Sequence, residues 1–168
     1  VKEAYEDYLR YKADNELNHR LTEVLDRAHG DTLRSTRWQD VRVGDVVRVK
    51  SDQPLPADVV IISTARADTG TCFIDTCNLD GEPNLKTRQA LEPLKGLQRL
   101  GDVAALRCEL EVENPHRDIY SFNGSLTPAG GEQLALWDAM RCSETLPGDA
   151  GWVVDWQAGL STTCATMR

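Results

Sequence analysis

The sequence predicts a mainly β domain that carries a long N-terminal helix. Apolar residues between Val1 and Ala28 recur at steps of three and four, which is the spacing of one helix face. From Trp38 onward the apolar spacing changes to two, and turn residues separate short segments, a pattern typical of antiparallel strands. With 168 residues and 40% hydrophobic content, the chain can form one domain with a hydrophobic core.

The N-terminal helix is predicted to extend from Val1 to Ala28, with Gly30 as its C-terminal stop. Its apolar positions are Ala13, Leu17, Leu21, Val24, Leu25 and Ala28. Glutamate precedes arginine by one turn at Glu6–Arg10, Glu16–Arg20 and Glu23–Arg27. The aromatic residues at helical spacing are Tyr5, Tyr8 and Tyr11. A stacking platform is one interpretation of these tyrosines, but packing on a neighbouring element is favoured.

Three strands are predicted between Trp38 and Ile62. Trp38–Val43 leads into the turn Gly44-Asp45, and Val46–Lys50 follows as the second strand. The continuous apolar run Val59–Ile62 indicates a buried strand. Asp58 stands at the start of this strand, where a turn or cap carboxylate is favoured over a catalytic role.

A turn that contains two carboxylates is the central feature of the chain. A strand that begins near Thr71 ends in Asp80-Gly81-Glu82-Pro83, where Gly and Pro force a turn, and Asn84–Leu91 returns as a strand. Both carboxylates are expected on an exposed tip. Most Asp-Gly turns only connect strands, but a carboxylate on a loop between two strands can also be presented to another domain's active site.

A hairpin is predicted after this loop. Glu92–Asp102 is expected to be a surface connector, and Leu106–Val112 alternates apolar with charged residues, as in a strand with one buried face. After a turn at Asn114-Pro115, Ile119–Leu126 is expected to return as the second strand, and Thr127–Gly131 to form another turn.

Charge and cysteine usage limit the classes of partner. The net charge of −8 disfavours a nucleic-acid partner and adsorption to an anionic membrane surface, because both favour basic patches. The five cysteines are scattered without C-x-x-C spacing, which disfavours a zinc site. Cys72 and Cys77 are expected on opposite faces of one strand.

Val1-Lys2-Glu3-Ala4 does not resemble a signal peptide, and no apolar run approaches the roughly 18 residues that span a bilayer, so a soluble domain is expected.

Three motifs in order resemble the actuator domain of P-type ATPases. They are Val43-Gly44-Asp45-Val46-Val47, Pro56-Ala57-Asp58 and Thr76-Cys77-Asn78-Leu79-Asp80-Gly81-Glu82-Pro83-Asn84-Leu85-Lys86. The family signatures are V-G-D-I-V, P-A-D and T-A-N-L-D-G-E-T-N-L-K. The L-D-G-E and N-L-K form resembles the phospholipid-transporting branch, the flippases, whereas ion-pumping relatives carry T-G-E. The resemblance covers about Val1 to Leu126; past Glu132 only fragments remain, including a predicted strand near Trp152.

The resemblance implies a distorted, jelly-roll-like sheet domain and a single actuator domain over residues 1–168. Residues 1–30 would be a helical lever from the second membrane span, 31–131 the β core with the Asp-Gly-Glu loop, and 132–168 a divergent return segment toward the third span. The domain would lie on the cytosolic face of a multi-pass membrane protein. Its partners would be the phosphorylation and nucleotide-binding domains of the same chain, with the phospholipid bound elsewhere; an accessory subunit is left open.

The same resemblance implies a role for each residue of the loop. An aspartate elsewhere in the pump is phosphorylated by ATP, and Glu82 would act as general base in hydrolysing that aspartyl phosphate. Asp80 and Gly81 would shape the loop, with Asp80 also a candidate contact of the Mg²⁺ shell. Asn84 and Lys86 would support the loop by hydrogen bonds and charge. Mg²⁺ and ATP belong to the full-length protein, and this domain is expected to bind no cofactor or metal.

Pro83 departs from the flippase pattern, which has threonine after the glutamate. Metal-transporting relatives carry T-G-E-P, so proline is compatible with the turn, and its fixed φ stiffens it. The actuator domain of a cation pump, which the L-D-G-E and N-L-K residues disfavour, is one alternative. The other is a self-contained hydrolase using Asp80 and Glu82 as paired carboxylates. Since the chain has no Ser-His pairing, Gly-rich phosphate loop or D-K-T-G-T motif, it is expected to be inactive alone. Reading the gene past Arg168 should show apolar spans and D-K-T-G-T.

Overall fold

A computed structural model of the chain describes residues 2–112, 123–136, 141–142, 151–155 and 164–166, the last three segments by their backbone. The helices are α1 (Lys2–Asn18), α2 (Cys77–Asp80) and α3 (Leu100–Ala105). The strands are β1 (Leu21–Asp26), β2 (Thr32–Arg37), β3 (Val46–Val49), β4 (Val59–Thr64), β5 (Thr71–Ile74), β6 (Lys86–Gln89), β7 (Cys108–Val112), β8 (Gly124–Pro128), β9 (Leu134–Leu136), β10 (Arg141–Cys142), β11 (Gly151–Asp155) and β12 (Cys164–Thr166).

These strands form three antiparallel sheets, which confirms the prediction of a mainly β domain with an N-terminal helix. The largest sheet has the order β10-β4-β11-β3-β1-β2, the second β12-β7-β8-β9, and the third is the pair β5-β6. β11 lies between β3 and β4 and pairs with both, so the strand predicted near Trp152 is confirmed. Within the described residues, none of the helices has the length and the apolar content that a membrane span requires.

The hydrophobic core is divided by β4, in which every residue is buried. Val60 and Ile62 belong to a cluster that also contains Val103 of α3 and residues of β7 and β8. Val59 and Ile61 belong to a second cluster, which contains Cys72 and Ile74 of β5. Successive residues of a strand point to opposite faces, so a strand covered on both sides is apolar throughout. The pair β5–β6 is thus fixed to one face of the central sheet.

The predicted end of the N-terminal helix is wrong. α1 ends at Asn18, and Leu21–Asp26 is the strand β1, paired with β2 and β3. Val24 and Leu25 lie in different core clusters, as neighbours in a strand do. The spacing of the apolar residues is compatible with a helix, but backbone pairing with two other strands determines the outcome. Gly30, with φ of 85°, lies in the β1–β2 connection and not at a helix end.

The side-chain pairings expected on that helix also differ. α1 has no buried residue, and Tyr5, Tyr8 and Tyr11 are 63%, 58% and 67% exposed, so among the described residues they do not pack on a neighbour. Glu23 lies on β1 and pairs with Lys50, 2.6 Å away, where a helical pair with Arg27 was predicted.

Two further segments differ from their predictions. Trp38–Asp40 is one turn of 3₁₀ helix that follows the unpredicted strand β2. The turn at Gly44, with φ of 88°, and the strands β3 and β4 agree with the prediction. Glu92–Asp102 is not only a surface connector, because Leu94 is buried and α3 begins at Leu100.

The predicted hairpin is confirmed where the structure describes it. β7 alternates buried and exposed residues and pairs with β8 from Cys108↔Pro128 to Val112↔Gly124. β8 includes Pro128, so the following turn is shorter than predicted, with the Gly131 N–H donating to the Pro128 carbonyl at 3.0 Å. The turn at Asn114-Pro115 and residues 119–122 lie outside the described residues.

Candidate functional site: the Asp-Gly-Glu loop

The loop extends from the strand pair β5–β6. β5 and β6 are antiparallel from Thr71↔Gln89 to Ile74↔Lys86, and Ile74↔Lys86 is the last pair before the loop. Cys72 and Ile74 are 2% and 1% exposed and pack in the cluster that contains Ile61. Because the strand pair β5–β6 is packed in the core of the domain, residues at its open end have defined positions.

After β5 the chain forms one helical turn, which differs from the predicted strand extending to Asp80. The Asp75 carboxylate accepts the Cys77 N–H at 2.9 Å, and α2 follows from Cys77 to Asp80. Gly81, with φ of 75° and ψ of 5°, ends the turn, and its N–H donates to the Cys77 carbonyl at 2.9 Å. A glycine adopts this left-handed conformation without steric cost. Cys77 is exposed and lies on α2, so the prediction that it shares a strand with Cys72 is wrong.

The Asp80 carboxylate connects three parts of the loop. Its Oδ2 accepts the Thr76 hydroxyl at 2.8 Å and forms an ion pair with the Lys86 ammonium. Its Oδ1 accepts the Glu82 backbone N–H at 2.9 Å. The Asp80 side chain is only 3% exposed. The hydrogen bond from Lys86 is the main reason that the pKa of Asp80 falls from 3.8 to about 2, assisted by the bond from the Glu82 N–H.

Glu82 has a different environment from Asp80. Its side chain is 60% exposed, and its Oε2 lies 3.6 Å from the Lys86 ammonium, which therefore stands between the two carboxylates. The hydrogen bond to Asp80 raises the pKa of Lys86, so the ammonium stays charged. The prediction of two exposed carboxylates is correct for Glu82 and wrong for Asp80. The loop fixes the Glu82 backbone and leaves its carboxylate accessible.

The other predicted site residues divide into loop and core positions. Pro83 and Asn84 are exposed beside Glu82. Asp58 is 5% exposed and directly precedes β4 of the central sheet, whereas the loop connects β5 and β6 of the two-stranded sheet. The loop therefore brings together Asp80, Glu82 and Lys86, while Asp58 is part of the core.

The loop residues do not fit a metal site. Within the residues that the structure describes, no three His, Cys, Asp or Glu side chains come together to hold a metal ion. Asp80 already accepts Thr76, Lys86 and Glu82, and a cation would compete with these donors. The Mg²⁺ contact of Asp80 therefore stays a prediction.

Two residues that support the loop were not identified as site residues from the sequence. Thr76, 5% exposed, donates to Asp80, and Asp75 accepts the first N–H of α2. A signal was available for Thr76, because a hydroxyl and a carboxylate four positions apart meet on one helical turn. Using it required the prediction of a helical turn in place of a strand.

The acid titration of Asp80 is expected to depend on Lys86. In the parent chain the Asp80 pKa lies below its ordinary 3.8, so the stabilisation from this carboxylate is complete above about pH 4 and is lost as pH falls through about 2. Lys86→Met removes the strongest donor and should move this loss to higher pH. Carboxyl-carbon NMR titration of Asp80 measures the change. Lys95→Met, which removes an ammonium paired with Glu92 at 2.6 Å, is the matched control. An unchanged Asp80 titration in Lys86→Met would contradict the assignment of Lys86 as the main cause of the lowered Asp80 pKa.

Comparison with known proteins identifies the domain. The family model for the P-type ATPase actuator domain matches residues 16–105. The chain is 38% identical to the phospholipid-transporting ATPase DRS2 of Saccharomyces cerevisiae over 81% of its length. It is 37% identical to the human phospholipid-transporting ATPase IH over 81%, and 40% identical to the probable phospholipid-transporting ATPase 11 of Arabidopsis thaliana over 88%. These alignments cover 10% to 13% of the relatives' own lengths. The chain therefore belongs to the P-type ATPase actuator domain family.

Proposed function

We propose that this chain is the cytosolic actuator domain of an ATP-driven phospholipid flippase and that its loop delivers Glu82 to an aspartyl phosphate. The observation that carries the proposal is the contrast between the two carboxylates of the loop. Asp80 is buried and bonded to Thr76, Lys86 and the Glu82 N–H, whereas the Glu82 carboxylate is 60% exposed. One acidic residue maintains the loop, and the other is available to a second domain.

In the proposed reaction, Glu82 accepts a proton from a water molecule while the oxygen of that water attacks phosphorus. The bond between phosphorus and the aspartyl oxygen breaks, which yields free phosphate and the aspartate carboxylate. The packed strand pair β5–β6 and the hydrogen-bonded Glu82 backbone support this role, because a general base must be placed within hydrogen-bond distance of the attacking water. The phosphorylated aspartate, ATP and Mg²⁺ belong to the phosphorylation and nucleotide-binding domains of the same protein. The isolated chain is inactive in this proposal.

The phospholipid substrate is inferred from the relatives and from the loop sequence. The relatives reported above are named phospholipid-transporting ATPases. The Leu79-Asp80-Gly81-Glu82 and Asn84-Leu85-Lys86 segments favour the same branch over a cation pump. The lipid would bind in membrane segments that flank this domain, and hydrolysis at the loop would be coupled to lipid translocation.

A transport assay separates the flippase from the cation pump. The full-length protein in liposomes is expected to move a fluorescent phospholipid between leaflets when ATP is added, with no requirement for a transported metal cation. The Glu82→Gln protein, prepared in the same way, provides the transport-inactive control. ATP-driven cation uptake without lipid movement would contradict the lipid assignment and favour the cation pump. ATP hydrolysis by the 168-residue chain alone would favour the self-contained hydrolase.

A further inference from the structure

Thr76 is one of the donors that determine the position of the Asp80 carboxylate. Its hydroxyl lies 2.8 Å from Oδ2, and its side chain is 5% exposed. Lys86 approaches the same oxygen from the first residue of β6. The two donors therefore hold Oδ2 from opposite ends of the loop, since Thr76 precedes α2 and Lys86 begins the returning strand.

The other oxygen of Asp80 acts directly on Glu82. Oδ1 accepts the Glu82 N–H at 2.9 Å, immediately after the left-handed Gly81. A rotation of the Asp80 carboxylate about its Cβ–Cγ bond moves both oxygens together. Any change in the bonds to Oδ2 consequently changes the acceptor offered to the Glu82 backbone.

We propose that Thr76 is a positioning residue for dephosphorylation: its hydroxyl, with Lys86, orients Asp80 so that Asp80 fixes the Glu82 backbone. This inference rests on the proposed role of Glu82 as general base. Thr76 itself contacts neither water nor phosphate in this mechanism. Its burial and its bond to a nearly inaccessible carboxylate distinguish Thr76 from Thr87, which is an exposed threonine on β6.

The test measures phosphoenzyme decay in the full-length pump after an ATP chase. Thr76→Val keeps the shape and removes the hydroxyl, and we expect decay about 10- to 100-fold slower, since displacement of a reacting group by about 1 Å can cost about 10²-fold. Phosphorylation by ATP should be retained. Thr76→Ser restores the donor and should bring the rate to within about threefold of the parent. Thr87→Val on β6 controls for the loss of a threonine hydroxyl close to the loop.

A double-mutant comparison separates positioning from general structural damage. If Thr76 acts through Asp80, adding Thr76→Val to Asp80→Asn should slow decay little further, whereas independent effects would multiply. A multiplicative loss would overturn the inference. If Thr76→Val is recovered in too small an amount, Thr76→Cys carries the test. Its weaker donor should place its rate below Thr76→Ser, and a rate equal to that of Thr76→Ser would also overturn the inference.

Failure of this inference is distinguishable from failure of the proposed function. Glu82→Gln is measured in parallel with the Thr76 variants. Slow decay in Glu82→Gln together with parent-like decay in Thr76→Val overturns the positioning role alone. Parent-like decay in Glu82→Gln overturns the proposed function.

Discussion

Phosphoenzyme of the Glu82→Gln full-length pump is expected to decay about 10²–10⁴-fold more slowly than that of the parent pump. Glutamine keeps the shape of the side chain but cannot accept the proton of the attacking water. In the proposed function, phosphorylation by ATP takes place in other domains, so it should be intact in this variant, phosphoenzyme should accumulate and transport should stop. The measurement is phosphoenzyme decay after an ATP chase with transported lipid present.

Pro83→Thr is the matched control for this prediction. The substitution changes the neighbouring exposed residue, adds one hydroxyl and removes the constraint on φ, while the Glu82 carboxylate remains. Its effect on decay should be much smaller. If the Glu82→Gln pump loses its phosphate as fast as the parent, Glu82 is not the general base and the loop has a structural role only.

The strands with the clearest patterns could be predicted from the sequence. The unbroken apolar run Val59–Ile62 indicates a strand covered on both faces, and β4 has residues in both core clusters. The alternation in Leu106–Val112 indicates one buried face, as β7 has. The alternation fits a period of two only, whereas the apolar run has no period and is assigned to a strand by its short length and its β-branched residues.

The errors occur where distant pairing decides the structure. Leu21–Asp26 fits the helical spacing, and only its pairing with β2 and β3 makes it a strand. The burial of Leu94 and α3 depends on contacts with β7 and β8 across the core. A prediction from local spacing has no access to these contacts.

The candidate site was predicted in position but not in internal organisation. The Asp-Gly-Glu tripeptide and the turn residues locate the loop. Asp80 and Glu82 are chemically alike, so nothing in their side chains indicates which is buried. The register that pairs Lys86 with Ile74 brings the ammonium to Asp80, and this pairing between distant parts of the chain gives the two carboxylates different environments.

Asp80→Asn is expected to slow phosphoenzyme decay by about 10²-fold, although Asp80 does not act on water in the proposed mechanism. Both oxygens of Asp80 accept donors: Lys86 and Thr76 on Oδ2, and the Glu82 N–H on Oδ1. An asparagine has one oxygen and one NH₂ group, so in either orientation its NH₂ faces another donor. Either the Glu82 backbone or the Lys86 ammonium then loses the acceptor that Asp80 provides.

Stability distinguishes this substitution from Glu82→Gln, although both replace a carboxylate by an amide. The Asp80 side chain is 3% exposed, so Asp80→Asn removes at least one hydrogen bond that a shielded carboxylate accepts and should lower the Tm of the 168-residue chain. The Glu82 side chain is 60% exposed, and its replacement should change the free energy of unfolding by no more than about 0.5 kcal/mol. Thermal unfolding of both variants, with decay measured in the full-length pump, checks the pair of outcomes. Parent-like decay and Tm in Asp80→Asn would mean that the buried carboxylate does not hold Glu82, because two opposed donors cannot be accommodated without displacing the loop.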